Sequence, residues 1–169
     1  MINNYNFNYL LKFVATSALS FFVGSIHGVL QVMPAVRAWL DSIGSPYGGP
    51  GHMIDPLAHA HINLIGGVTL LCIATSYFLL TIIRQQAIYS LRLANLSFWF
   101  TTIGIYSFYS VLIGFGIKEG VMLLAMDPGL DSFHSRVAVP LIALTATIMG
   151  IGLWMFLLNV ALTFRQKRQ

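Results

Sequence analysis

The chain has 169 residues, 57% of them hydrophobic and only 8% charged, with a mean hydropathy of +0.78. Soluble domains carry roughly 25% charged residues, so this composition describes a membrane protein. Too little polar sequence remains for a separate extramembrane domain, which excludes a soluble enzyme, a nucleic-acid reader and a large secreted module.

A spanning helix needs about 20 apolar residues, and four runs meet that length. The first covers residues 9–33. Lys12 precedes its apolar stretch as in a signal peptide, but the stretch lacks a small-residue cleavage site and reads as a span. The connection over 34–56 is the longest, and its Ser45-Pro46-Tyr47-Gly48-Gly49-Pro50-Gly51-His52 segment is rich in turn-formers. The second run covers 57–83 and holds the single cysteine, Cys72, which excludes an intrachain disulfide and reads as a small core residue. A short connection near 84–93 makes the second and third spans antiparallel neighbours. The third run covers 94–117. Asp127-Pro128-Gly129-Leu130-Asp131 then breaks the chain, with Asp131 or Ser132 as the expected N-cap of a fourth span over 137–164. The expected fold is all-α: a single integral membrane four-helix bundle over 1–169. Gly114, Gly116 and the Gly66-Gly67 pair suit close helix approach.

Charge placement predicts the orientation. Six of the nine basic residues, Lys12, Arg84, Arg92, Arg165, Lys167 and Arg168, fall at the end that carries both termini. The other three, Arg37, Lys118 and Arg136, share the first and third connections with all five acids, Asp41, Asp55, Glu119, Asp127 and Asp131. By the positive-inside rule both termini are cytoplasmic and the acidic connections face outward, as in a multi-pass protein of a bacterial-type inner membrane. The basic tail reads as a topological anchor, not as a nucleic-acid or lipid site.

The histidines are the feature that points to chemistry. His27 lies in the first span, His59 and His61 open the second, and His134 opens the fourth, all toward the outer side. At about 1.5 Å of rise per residue, His27 is about 9 Å inside Met33, His61 about 6 Å and His59 about 3 Å beyond Leu57. Imidazoles from three helices therefore share a depth. Ionisable side chains within spans are costly and usually mark a pathway or ligand site. Imidazole is a natural axial ligand for haem iron, one nitrogen binding the metal while the other donates a hydrogen bond that fixes the ring. His27 with His61 satisfies the depth match best and His27 with His59 less well. About 200° separates residues two apart on a helix, so His59 and His61 point to opposite sides and cannot both bind one iron from a regular helix.

The segment Asp55-Pro56-Leu57-Ala58-His59-Ala60-His61-Ile62-Asn63-Leu64-Ile65-Gly66-Gly67, closed by Tyr77, resembles the late His-x-His helix in the catalytic subunit of haem-copper oxidases. The nearest members are the C-family cytochrome c oxidases and the nitric oxide reductases. Ser97-Phe98-Trp99-Phe100 with Gly104, Tyr109, Gly116 and Gly120 is similar to the next family helix, and Gly152, Asn159 and Thr163 to the end of the last. The resemblance covers roughly residues 55 to 164, the closing third of a subunit of about twelve helices. It implies that His59 is the proximal ligand of an active-site haem and His61 an axial ligand of a low-spin haem. The family's copper- or iron-binding histidines lie on helices with no counterpart here, Arg136 misses the spacing of the family's basic residue, and His27 has no match.

The expectation drawn from these readings is a membrane protein binding one or two haem b groups toward the outer face, with His61 and His27 as axial ligands. Such a protein passes electrons, or presents haem to a redox partner, as a homo-oligomer or a subunit of a larger respiratory complex. Three alternatives stay open: a five-coordinate haem on His59 that reacts with a gas or oxidant, a copper site built from three or four imidazoles including His134, and a cofactor-free structural subunit. No residue is assigned a catalytic role.

Overall fold

The computed structural model describes residues 6–167, so Arg168 of the basic tail lies outside the described residues. Among the described residues the regular structure is helical, with no strand. Five helices follow in order: α1 (Asn8–Val32), α2 (Pro34–Ser42), α3 (Gly49–Arg84), α4 (Leu91–Leu124) and α5 (Leu130–Arg165). Four of them, α1, α3, α4 and α5, are long and apolar enough to cross a membrane. The large apolar side chains on their outer faces, among them Leu11, Val29, Ile83, Trp154 and Leu157, are exposed, which suits hydrocarbon rather than water.

Prolines set the breaks. Pro34 pushes the preceding Met33 into extended conformation (ψ 132°), ends α1 and takes the first position of the amphipathic α2. Pro56 does the same inside α3, where Asp55 leaves the helical region (φ −133°, ψ 113°) and the helix kinks. Beyond this kink, which lies within Met53–Ala58, comes an α-helical turn at His59–His61 and then a stretch, Ile62–Thr69, wound as π-helix. A second such stretch, His134–Ala138, lies near the start of α5. The turn between α2 and α3 is closed by Gly44 (φ 98°) and Gly49 (φ 60°), conformations open to glycine without steric cost.

A helix long and apolar enough to cross a membrane lies at each of the four predicted runs; α1 matches its run within a residue, and the other three extend beyond theirs. The third was expected to stop at 117, before Lys118 and Glu119; α4 continues to Leu124 because Glu119 is buried and accepts hydrogen bonds from His134 Nδ1 (3.0 Å), while Lys118 lies over the Phe133 ring (3.8 Å). The break before α5 is made by Asp127, whose Oδ1 accepts from Gly129 N–H (2.7 Å); Asp131 and Ser132 do not cap the helix. Cys72 is exposed rather than in the core.

The helices meet through small residues. On α1, Ser17, Ser20, Gly24 and Gly28 recur every three or four positions and face Gly67, Gly66, Asn63 and His59 of α3. Ser17 Oγ–H donates to the Gly67 carbonyl (2.8 Å), and a Cβ on Gly66 would lie 2.6 Å from Ser20 Oγ. Gly104 of α4 and Gly152 of α5 bring those two backbones together at Met149 and Thr101. Gly114, by contrast, faces open space.

The end bearing the termini is closed by one amide. Asn159 of α5 is fully buried; its Oδ1 accepts from Ser90 N–H (3.0 Å), and its Nδ2 donates to Ser90 C=O (2.9 Å) and to Tyr77 Oη (3.3 Å). Thr163 Oγ1 accepts from Tyr89 N–H (3.0 Å). Asn159→Leu leaves the half-buried Ser90 N–H without its partner, at a cost of roughly 1–3 kcal/mol, while Ser90 C=O keeps its bond from Ala94 N–H. The variant is expected to lose about 2 kcal/mol, read as a lower midpoint of unfolding in detergent, with Asn159→Asp falling between it and the parent.

Candidate functional site

At the end opposite the termini, the first connection is locked by Arg37. Its guanidinium bonds Asp55, Asp41 (2.7 Å) and Ser45 Oγ (2.7 Å), while Ser45 Oγ–H reaches the Asp55 carbonyl (3.0 Å). Asp55 is buried at the kink above Pro56, so this network fixes α2 on the head of α3. The charge-assisted bonds from Asp55 first, and Asp41 next, raise the Arg37 pKa above its ordinary value.

Below that lock sit three imidazoles. His27 is 7% exposed, and its Nδ1 bonds Tyr109 Oη of α4 (3.2 Å). Its ring centroid is 5.3 Å from that of His59 and 5.7 Å from that of Tyr109. The His27 ring thus meets His59, not the His61 that depth alone favoured. The reason is helical register: α1 packs on the His59–Asn63–Gly66–Gly67 face of α3, and His61 emerges on the other side against Phe108 of α4 (4.9 Å). The opposite orientation expected for the two α3 histidines holds.

Hydrogen bonds assign each ring a role. Gln31 lies one turn beyond His27 on α1, and its Nε2 donates to His59 Nδ1 (3.2 Å), which places the His59 proton on Nε2. That Nε2 is pressed toward α1: a Cβ on Gly28 would be 3.2 Å from it. His59 therefore has its other ring nitrogen protonated and turned toward α1. His61 is the converse. Its Nδ1–H donates to the Leu57 carbonyl (2.8 Å), an acceptor only, so Nε2 carries the lone pair. The ring is half-buried, and among the described residues no hydrogen bond engages Nε2 and no second imidazole faces it.

His134 stands apart, exposed and paired with Glu119, and His52 Nδ1 is tied to the Pro46 carbonyl. Among the described residues no group of three or more His, Cys, Asp or Glu is placed to hold a metal ion, so the imidazole cage needed for copper is not assembled. Arg37, already given to two aspartates, has no spare fork for a propionate.

A cavity of about 360 Å³ opens beside the imidazoles, between α1, α2 and α4. Its polar wall is His27, Gln31 and Tyr109, and the remainder is aliphatic apart from Trp39. Gln31 and Trp39 were missed in the sequence; the signal for Gln31 was its place four residues after His27, on the same helical face. Comparison of the chain with protein-family models, with curated proteins and with solved structures finds no match.

Proposed function

We propose that the protein is a multi-pass membrane haem b subunit in which His61 is the axial ligand. The observation that carries this reading is the His61 tautomer: the Nδ1–H donated to Leu57 C=O leaves Nε2 as a neutral, oriented donor of the kind haem iron takes. Bound haem would supply one-electron chemistry at that position. The chain's own contribution is to hold the ring by its helix carbonyl and to pack it against Phe108, while His27 and His59 are bonded to Tyr109 and Gln31.

No second imidazole faces His61 among the described residues, so His61 alone would hold the haem within this chain. This favours a single protein ligand over the bis-histidine pairing of His27 with His61. The excess of basic residues at the end bearing the termini supports a cytoplasmic placement for it in an inner membrane, with the histidines toward the outer leaflet. Electron transfer with a larger respiratory assembly is the role this arrangement suits. A pyridine-haemochrome assay on purified protein tests the proposal: stoichiometric haem b in the parent and none in His61→Ala supports it, and a colourless parent reconstituted with haem to no effect overturns it.

A further inference from the structure

The cavity between α1, α2 and α4 is open to the side of the bundle. Val36, Trp39 and Leu40 of α2 close one end, and Val23, Ile26 and Leu30 run for about two turns down its α1 wall. Ile26, Leu30 and Ile117 line the space and are also about half exposed on the apolar flank of the spanning helices, so cavity and lipid-facing flank are continuous. Whatever fills the cavity comes through hydrocarbon.

The polar groups of the wall bond within the protein. His27 Nδ1 is joined to Tyr109 Oη, Gln31 Nε2 donates to His59 Nδ1, and Gln31 Oε1 is shut off from the space by burial. A wall with so few free polar groups does not hold water, which needs two to four partners. Left unfilled, the lining forfeits the dispersion contacts of a close-packed interior. No Asp, Glu, Lys or Arg lines the cavity, so nothing there anchors the carboxylate of a free fatty acid.

We propose that this cavity holds one acyl chain of a bilayer phospholipid. The chain enters between Ile26 and Ile117 and packs against Trp39 and Ile113, while its headgroup stays at the membrane surface. Such a lipid is a resident part of the bundle, filling the space between α2 and the two spanning helices beneath it. The proposal does not depend on haem at His61.

The test uses the full chain with Trp39 as its single tryptophan (Trp99→Phe, Trp154→Phe), in nanodiscs of phosphatidylcholine or of phosphatidylcholine brominated in the middle of its chains. Bromine is expected to quench Trp39 at least threefold more in this parent than after Ile113→Phe, which fills the cavity from α4. Ile103→Phe, on the exposed side of the same helix, and Gln31→Leu should both leave the quenching as in the parent. Equal quenching with and without Ile113→Phe shows that Trp39 meets only the surrounding bilayer, and overturns the proposal. So does an unquenched parent, which means that a second copy covers the entrance, and so does loss of quenching in Gln31→Leu, which means a polar ligand. A second measurement needs no variant: after exhaustive exchange into maltoside detergent the parent should retain one phospholipid per chain by phosphorus assay, and retention of none overturns the proposal. Both results should be the same in His61→Ala, whatever the haemochrome assay returns.

Discussion

Gly104→Val is expected to cost more than any other single change in the α4–α5 pair. A Cβ at this position falls inside contact distance of the backbone N and Cα of Met149. Overpacking against a flexible side chain typically costs 1–3 kcal/mol because the neighbour can turn away. A helix backbone cannot, so α5 must be displaced as a unit. The same crossing holds Gly152 against the backbone of Thr101, and displacement there withdraws Asn159 from Ser90. A loss of about 3 kcal/mol or more follows, seen as a collapsed unfolding midpoint in detergent and as protease cleavage between α4 and α5. Gly114→Ala is the control on the same helix: with nothing within 4 Å of its Cβ, it gains about 0.5–1 kcal/mol from reduced chain entropy. Equal damage from the two substitutions would show that helix propensity, not the crossing, governs α4.

The second large effect is on binding of the proposed haem. His61→Ala removes the one membrane-level imidazole whose tautomer is fixed for coordination, and haem content is expected to fall more than tenfold. His27→Ala and His59→Ala should each retain at least half, because their rings serve the α1–α3 contact and the His59 Nε2 faces Gly28. Those two variants are expected to lose stability instead, by about 1–2 kcal/mol for a buried hydrogen-bonded side chain. With a single protein ligand, reduced protein should shift its Soret band on addition of carbon monoxide. A silent band together with haem loss in His27→Ala would restore the bis-histidine pairing and sink the present assignment.

How much of this was readable beforehand differs by level. The four spans were legible because hydropathy over about 20 residues averages out local detail. Their ends were not: Lys118 and Glu119 look like a boundary until His134, 15 residues on, is found to hydrogen-bond the buried carboxylate. Depth along a helix axis could be counted at 1.5 Å per residue, which placed His27, His59 and His61 near one level. Azimuth could not. The kink at Asp55 before the His59–His61 turn and the π-helical stretch Ile62–Thr69 after it both change the azimuth, and the face of α1 that meets α3 is set by Ser17, Ser20, Gly24 and Gly28. That small-residue spacing was present in the sequence and would have directed His27 toward His59. Glycines alone mislead without it: Gly66, Gly67 and Gly116 do mark close approaches, whereas Gly114 marks none.

The Asn159 clasp has a bearing on how the chain is made. Ser90 leaves the ribosome 69 residues ahead of the side chain that accepts from its N–H. During that interval the hairpin of α3 and α4 has no finished seal at this end, and only entry of α5 supplies one. A nascent chain halted before residue 159 should therefore stay open to protease at residues 85–90 until α5 threads into the bilayer.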